Sequence, residues 1–355
     1  MKAILFRFAA VLISLVVVAL LGEVAMRTFA PRLGVAVSEK NRFCRFDHDL
    51  GWAPLENITW GEKGDLVHQN QFGLRAPDDM QLKRTSGRKR VLLLGDSYVW
   101  GLGASQEELF TAPGVHGTND ELINCGVSGY GTDQEYLFYL LKGQKFDVDQ
   151  VVLAFTLYND VTNNLNSEQY SYLKPYFTLN GGQLVLHNDH VRYSRVDSFF
   201  RNAKRECRVW NLAGHGLDGL IHTFLRKPKH LEPDVVVSEA DREGIALTLA
   251  ILNKLKEAVE ARQAEFYVVF IPYKPRVENH LPGNHPFAPL IAAGLTQMGV
   301  SYREPYPEFL KSAIAGVDPF NVGDNHFNAA GHALFAKFVT DTDLARASID
   351  YYTHQ

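Results

Sequence analysis

Four short polar stretches of this 355-residue chain hold the side chains from which acyl-transfer chemistry is built. Gly95-Asp96-Ser97 offers a hydroxyl, and Asp324-Asn325-His326 offers an imidazole with a carboxylate two positions before it. Asn124 to Gly129 and Tyr158-Asn159-Asp160 offer backbone and side-chain amides. A serine hydroxyl becomes a nucleophile when a base takes its proton. The base needs a carboxylate to fix its tautomer, and the tetrahedral oxyanion needs donors already in place. Ser97, His326 and Asp324 fill the first three roles, and the N–H groups of Ser97 and Gly129 with the Asn159 side chain fill the last. Singly, each stretch is a common turn or loop. Their order and positions together are specific.

These stretches must be brought together by the elements around them. Arg90 to Leu94, Leu122 to Val127, Val151 to Phe155 and Phe266 to Ile271 are continuous apolar runs, the pattern of strands covered on both faces. Ser238 with Asp241 makes a capping box, and Ile245, Leu249, Leu252 and Val259 line one face of a long helix predicted to end near Gln263. A further helical stretch runs from Ala329 to Val339, which places His326 in the loop before it. Alternating strands and helices predict a parallel sheet wrapped by helices. In such a sheet ligands gather beyond the carboxyl ends of the strands, where the first three polar stretches would lie.

Two regions stand outside this rhythm. Residues 30–90 are polar and turn-rich, with Pro31, Pro54 and Pro77, and read as a linker and small extension without chemistry of its own. Thr162 to Val237 interrupts the alternation. Within it, Asn180-Gly181 between the alternating runs of Tyr176 to Leu186 predicts a tight hairpin. Asp197 to Lys229 is aromatic and basic, with helical spacing at Phe200, Trp210, Leu217 and Phe224. The whole segment reads as a cap beside the active site, with decoration of the sheet edge as the alternative.

In these motifs the sequence resembles the SGNH, or GDSL-like, hydrolase superfamily, whose blocks contribute in order a Ser, a Gly, an Asn and a His. The resemblance runs from about Arg90 to Thr340 outside the insertion, and it implies a flavodoxin-like parallel sheet with helices on both faces. Gly95-Asp96-Ser97 looks like the first block and carries the nucleophile onto Ser97. Asn124 with Gly129 five positions on matches the second, which puts the oxyanion glycine at Gly129 rather than Gly126. Leu157-Tyr158-Asn159-Asp160 looks like the third, with Leu157 where a glycine is usual. The last block is usually Asp-x-x-His, but here Gly323 stands three before His326 and the carboxylate is two before it, at Asp324. Asp318 is therefore the reserve partner for the histidine. His332 is expected to pack or cap.

The Asp-x-His spacing, the stretch His326 to His332, and Asn70 to Arg75 resemble membrane-anchored, sugar-modifying members of that superfamily. The resemblance implies a serine esterase acting on O-acetyl or other O-acyl groups of an extracytoplasmic carbohydrate or lipid. An O-acyltransferase that decorates an exopolysaccharide, supplied by a membrane acyl-donor partner, is the alternative. A non-catalytic glycan-binding scaffold is a third reading.

Composition narrows the rest. A net charge of −4 leaves no basic field for nucleic acid. No HExxH or similar spacing occurs, so the chemistry requires neither metal nor cofactor. Gly95 to Val99 lacks the second glycine of a G-x-S-x-G elbow, and Gly101-Leu102-Gly103 fits no P-loop or dinucleotide fingerprint. Cys44, Cys125 and Cys207 lie far apart without CxxC spacing; buried small hydrophobes are the simpler reading, with one bridge left open.

Phe8 to Gly22 is uncharged and apolar on every face, with Lys2 and Arg7 before it and Glu23, Arg27 and Arg32 after. That pattern is a signal anchor or a signal peptide. Glu23 and Met26 interrupt the small-residue cleavage sites around Gly22 and Ala25, which favours the anchor. With the basic N-terminus inside, the catalytic part is expected on the periplasmic or extracellular side. The chain thus divides into a signal anchor (1–29), a linker and extension (30–89), a hydrolase domain (90–345) with the insertion 162–237, and a tail (346–355).

Overall fold

The computed structural model describes residues 2–29, 42–61, 66–85, 87–170, 172–192, 207, 209 and 236–340. The chain divides into two units, residues 1–44 with 192–230 and residues 45–191 with 231–355. In the first unit the main described element is helix α1 (Lys2–Phe29). Its stretch Leu5–Phe29 is long and apolar enough to cross a bilayer, a property that anchors and signal sequences share. The helix outruns the uncharged Phe8–Gly22 segment at both ends, and Glu23 is satisfied both along the helix and from outside it. Glu23 accepts from Arg27 Nε one turn on at 2.8 Å and from the Val209 N–H at 3.1 Å.

The second unit is built on a five-stranded parallel sheet: β1 (Arg90–Gly95), β2 (Glu121–Asn124), β3 (Gln150–Phe155), β4 (Glu265–Phe270) and β5 (Ser301–Arg303). The spatial order is β2-β1-β3-β4-β5, with every neighbouring pair parallel. This is the flavodoxin-like α/β arrangement. The first four strands lie where the apolar runs placed them. β2 ends earlier than Val127, because the Asn124 side chain accepts from the Gly126 N–H at 3.0 Å and turns the chain. β5 has no apolar run behind it; it is three residues long and joins the sheet edge through Tyr302 opposite Val268.

Continuous apolar strands require cover on both faces, and they have it. Val91, Leu93, Val152 and Val269 share a core with Phe309 and Phe335, which lie on helices at Tyr306–Ile314 and Ala329–Thr340. Leu92, Leu94, Val151 and Val268 point the other way by strand alternation. Helices α2 (Ser97–Trp100), α3 (Thr132–Leu141), α4 (Leu157–Asn164) and α5 (Glu239–Glu260) follow the chain in that order, and α3 packs on β1 as α5 packs on β4. α5 begins as the sequence predicts, with Ser238 Oγ accepting from the Asp241 N–H at 3.2 Å and Asp241 accepting from the Ser238 N–H at 2.8 Å.

The insertion does contain a hairpin, Tyr176–Asn180 paired with Gln183–His187. Its turn is Gly181-Gly182 rather than Asn180-Gly181, since Asn180 pairs directly with Gln183. The hairpin lies against the helical layer: Phe177 meets Tyr136 of α3 at 5.9 Å, and Lys174 just before it forms a fully buried ion pair with Asp133. Apart from Cys207 and Val209, the stretch from Asp197 to Lys229 that was read as part of a cap lies outside the described residues. All three cysteines are thiols, so the bridge left open by the sequence is not formed. Only Cys125 is buried as a small hydrophobe, and burial pushes its thiol pKa up.

Candidate active site

In a doubly wound sheet a crevice opens where the strand order reverses, here between β1 and β3. Ser97 follows β1 after a single residue, Asp96, and begins α2, and Asn159 lies in the first turn of α4, which follows β3. Asp96 turns the chain from strand to helix: it is buried, caps α2, and accepts from the Tyr98 N–H at 2.9 Å. As the first residue of α2, Ser97 presents an N–H that has no partner within the helix.

The imidazole expected to activate Ser97 is in place. His326 Nε2 lies 2.7 Å from Ser97 Oγ, and His326 Nδ1 lies 2.5 Å from Asp324 Oδ1. The same Asp324 oxygen accepts from the His326 backbone N–H at 3.1 Å. The two-residue spacing therefore lets one carboxylate hold both the ring and the amide of the histidine. That hydrogen bond from His326 brings the Asp324 pKa down to about 2, against an opposing effect of burial. Asp324 is thus a carboxylate across the neutral range. The reserve partner, Asp318, is engaged elsewhere: its Oδ1 accepts from the Phe320 N–H at 2.9 Å. His332 is buried, takes the Phe110 N–H on Nδ1 at 3.4 Å, and has its pKa lowered to about 3 by burial, which suits packing.

The donors expected for an oxyanion depend on a turn beyond β2. Asn124 Nδ2 donates to the Val99 carbonyl at 2.8 Å, and the Val127 N–H reaches the Gly95 carbonyl at 3.0 Å, so the turn is laced to both ends of the nucleophile segment. Gly126 is needed here by close approach: a Cβ would stand 2.3 Å from the Trp100 nitrogen. Gly129 follows at φ +79°, a left-handed conformation that suits glycine. The preceding carbonyl of Ser128 accepts from the Trp52 indole at 3.1 Å. On the β3 side, the Asn159 side chain donates to Asp96 Oδ2 at 3.3 Å, and the amide's second hydrogen remains for an incoming oxygen. Asp160 Oδ2 fixes the start of α4 by accepting from the Thr156 N–H at 2.8 Å. Burial raises the pKa of Asp96, opposed by the Tyr98 N–H, the charge of His326 and the Asn159 amide.

The extension before β1, which carried no evident chemistry in the sequence, holds this site together. Arg75 is buried, and its guanidinium donates to the carbonyls of Gly101 at 2.7 Å, Trp100 at 3.1 Å and Ala104 at 3.1 Å. Trp100 Nε1 in turn donates to Gln69 Oε1 at 3.0 Å. In the sequence only a resemblance marks Asn70 to Arg75; in the structure Arg75 clamps the chain that follows Ser97. No local pattern of spacing marks Arg75 or Trp52, because their partners are tens of residues away. Among the described residues, no group of three or more His, Cys, Asp or Glu side chains is arranged to hold a metal ion.

No protein-family model matches the sequence, and no curated protein matches it. Among solved structures the chain is similar to TesA, at 14% identity over 72% of this chain and 99% of that one, with a TM-score of 0.38. A GDSL-like lipase from Bacteroides thetaiotaomicron is similar at 12% identity over 73% of this chain and 89% of that one, TM-score 0.38. A catalytic mutant of an acetylxylan esterase from Geobacillus stearothermophilus is similar at 13% identity over 72% and 94%, TM-score 0.36. At these scores the likeness is distant, and what the site can do follows from its own geometry.

Proposed function

We propose that this protein is a serine esterase that removes O-acetyl or other O-acyl groups from a carbohydrate or lipid outside the cytoplasm, through an acyl-serine intermediate. The observation that carries this reading is the unbroken chain from Ser97 Oγ to His326 Nε2 at 2.7 Å and from His326 Nδ1 to Asp324 Oδ1 at 2.5 Å. Ser97 Oγ attacks the ester carbon as its proton passes to His326 Nε2. Charge then develops on the carbonyl oxygen, where the Ser97 and Gly129 N–H groups and the Asn159 amide are the donors; each is worth about 3 kcal/mol of barrier. Collapse breaks the carbon–oxygen bond to the alcohol, which leaves with the proton from His326. A water molecule, deprotonated by the same imidazole, then releases the acid and restores Ser97. Helix α1 anchors the catalytic unit to the membrane and keeps it on the outer side.

Hydrolysis and transfer share this machinery and differ in whether water or an acceptor hydroxyl resolves the acyl enzyme. The test is a fluorophosphonate probe together with p-nitrophenyl acetate, assayed with and without a glycan acceptor. Labelling of Ser97 and turnover without acceptor are expected. Turnover that needs the acceptor would replace the esterase with an O-acyltransferase, and absence of both labelling and turnover would leave a non-catalytic scaffold.

A further inference from the structure

The loop that carries Asp324 and His326 has almost no packing of its own. Val322 at its tip is 99% exposed, and Gly323, Asp324 and Asn325 are exposed with it. Its shape is therefore set by hydrogen bonds to its carbonyls. The Asn325 carbonyl accepts from Tyr98 Oη at 2.7 Å, the His326 carbonyl from the Asn321 N–H at 2.9 Å, and the Phe327 carbonyl from Asn321 Nδ2 at 2.9 Å. The carbonyls of Asn321 and Asp324 converge on one atom, Lys274 Nζ, which lies 2.7 Å from each.

Lys274 is well placed to act as a fixed post. It opens the short helix Lys274–Glu278, separated from the end of β4 by three residues. Its side chain is 6% exposed, while its ion-pair partner Glu278, at 3.3 Å, is 49% exposed. An exposed pair one helical turn apart adds little, whereas bonds from a charged donor to well-aligned carbonyls are among the stronger ones. The buried amine thus faces the histidine loop with its strongest contacts.

We propose that Lys274 is a positioning residue for the reaction: by gripping the carbonyls on either side of Val322 and Gly323, it sets the distance and angle at which Asp324 meets His326. This rests on the reading of Ser97, His326 and Asp324 given above. The consequence is kinetic. If the grip is lost, the loop stays attached through Tyr98 and Asn321 but Asp324 no longer holds one position, and imprecise placement of a catalytic group lowers kcat far more than it weakens substrate binding.

The experiment compares the full-length wild type with Lys274→Ala and Lys274→Met in p-nitrophenyl acetate turnover and in the rate of fluorophosphonate labelling, with thermal unfolding as the control for folding. In both variants kcat and the labelling rate are expected to fall about 10- to 100-fold, with KM within about twofold of wild type. Propylammonium added to Lys274→Ala should restore part of kcat, and propanol should not. A kcat within about twofold of wild type, a loss that resides in KM, or equal effects of propanol and propylammonium would overturn the proposal. Failure of both variants to fold would assign Lys274 to the scaffold and overturn it as well. Absence of Ser97 labelling in the wild type would instead overturn the esterase reading beneath it.

Discussion

The hydroxyl of Tyr98 donates to the carbonyl of Asn325 at 2.7 Å, so the residue after Ser97 holds the residue before His326. The same ring lies 4.8 Å from the ring of His326, tilted by 40°. Burial raises the Tyr98 pKa well above that of a free phenol, which keeps the hydroxyl a donor across the working range. Tyr98→Phe keeps the ring and removes only that bond. It should cost about 0.5–1.5 kcal/mol in stability through the lost hydrogen bond, and lower kcat with KM little changed. Urea unfolding and steady-state kinetics measure the two; an unchanged kcat would separate this bond from catalysis.

Asn159→Ala removes a side-chain donor while leaving α4 in place. The rate should fall roughly 10²- to 10³-fold in kcat, the usual loss for one oxyanion donor. Because the Asn159 amide also donates to Asp96, a melting temperature is read alongside. A variant that melts like the wild type and turns over at the wild-type rate would remove Asn159 from the oxyanion site.

Asp324→Asn and Asp318→Asn distinguish the two carboxylates. The first replaces an acceptor of the ring N–H with a group that favours the wrong tautomer, and kcat should drop about 10³- to 10⁴-fold. The second alters only a turn at Phe320 and should leave kcat near wild type. The reverse pattern would move the orienting role to Asp318.

Asp324 also links stability to pH. Its pKa of about 2 in the fold lies below the 3.8 of a free side chain, so its stabilising contribution is complete above pH 3.8 and is lost as pH falls towards 2. Because the side chain is 45% exposed, solvent screening limits the effect to about 1 kcal/mol at most. The difference in urea stability between wild type and Asp324→Asn should therefore narrow between pH 4 and pH 2 (roughly the window that linkage assigns). A difference that stays constant through that window would contradict the ion-pair geometry.

Arg75→Met tests the clamp from the extension. Burial lowers the Arg75 pKa to about 10, so the group is still charged at neutral pH, and its loss strips the donor from the carbonyls of Trp100, Gly101 and Ala104. A stability cost of about 3 kcal/mol or more is expected, with a fall in kcat from the loosened helix that Ser97 begins. Calorimetry and turnover read the two effects, and a variant as stable and active as the wild type would show that the Arg75 clamp is dispensable.

What the sequence by itself determined is whatever is written in short windows. Apolar runs announced β1 to β4, the Ser238–Asp241 pair announced the start of α5, and the types and order of Ser97, Asn159, Asp324 and His326 singled out the side chains that the roles of nucleophile, donor, carboxylate and base would need. Tertiary structure alone decided the rest. β5 is a strand only because β4 offers it an edge. Asp324 rather than Asp318 meets the imidazole only because the loop from Asn321 to Phe327 is bent by bonds to Tyr98, Lys274 and Asn321. Trp52, Tyr98 and Lys274 carry no signature of their own, and Arg75 only a resemblance, because a hydrogen bond whose partner lies between 25 and 227 positions away leaves no periodicity behind. Hydrophobic pattern is a local property of the chain, whereas the partner of a buried polar group is chosen by packing.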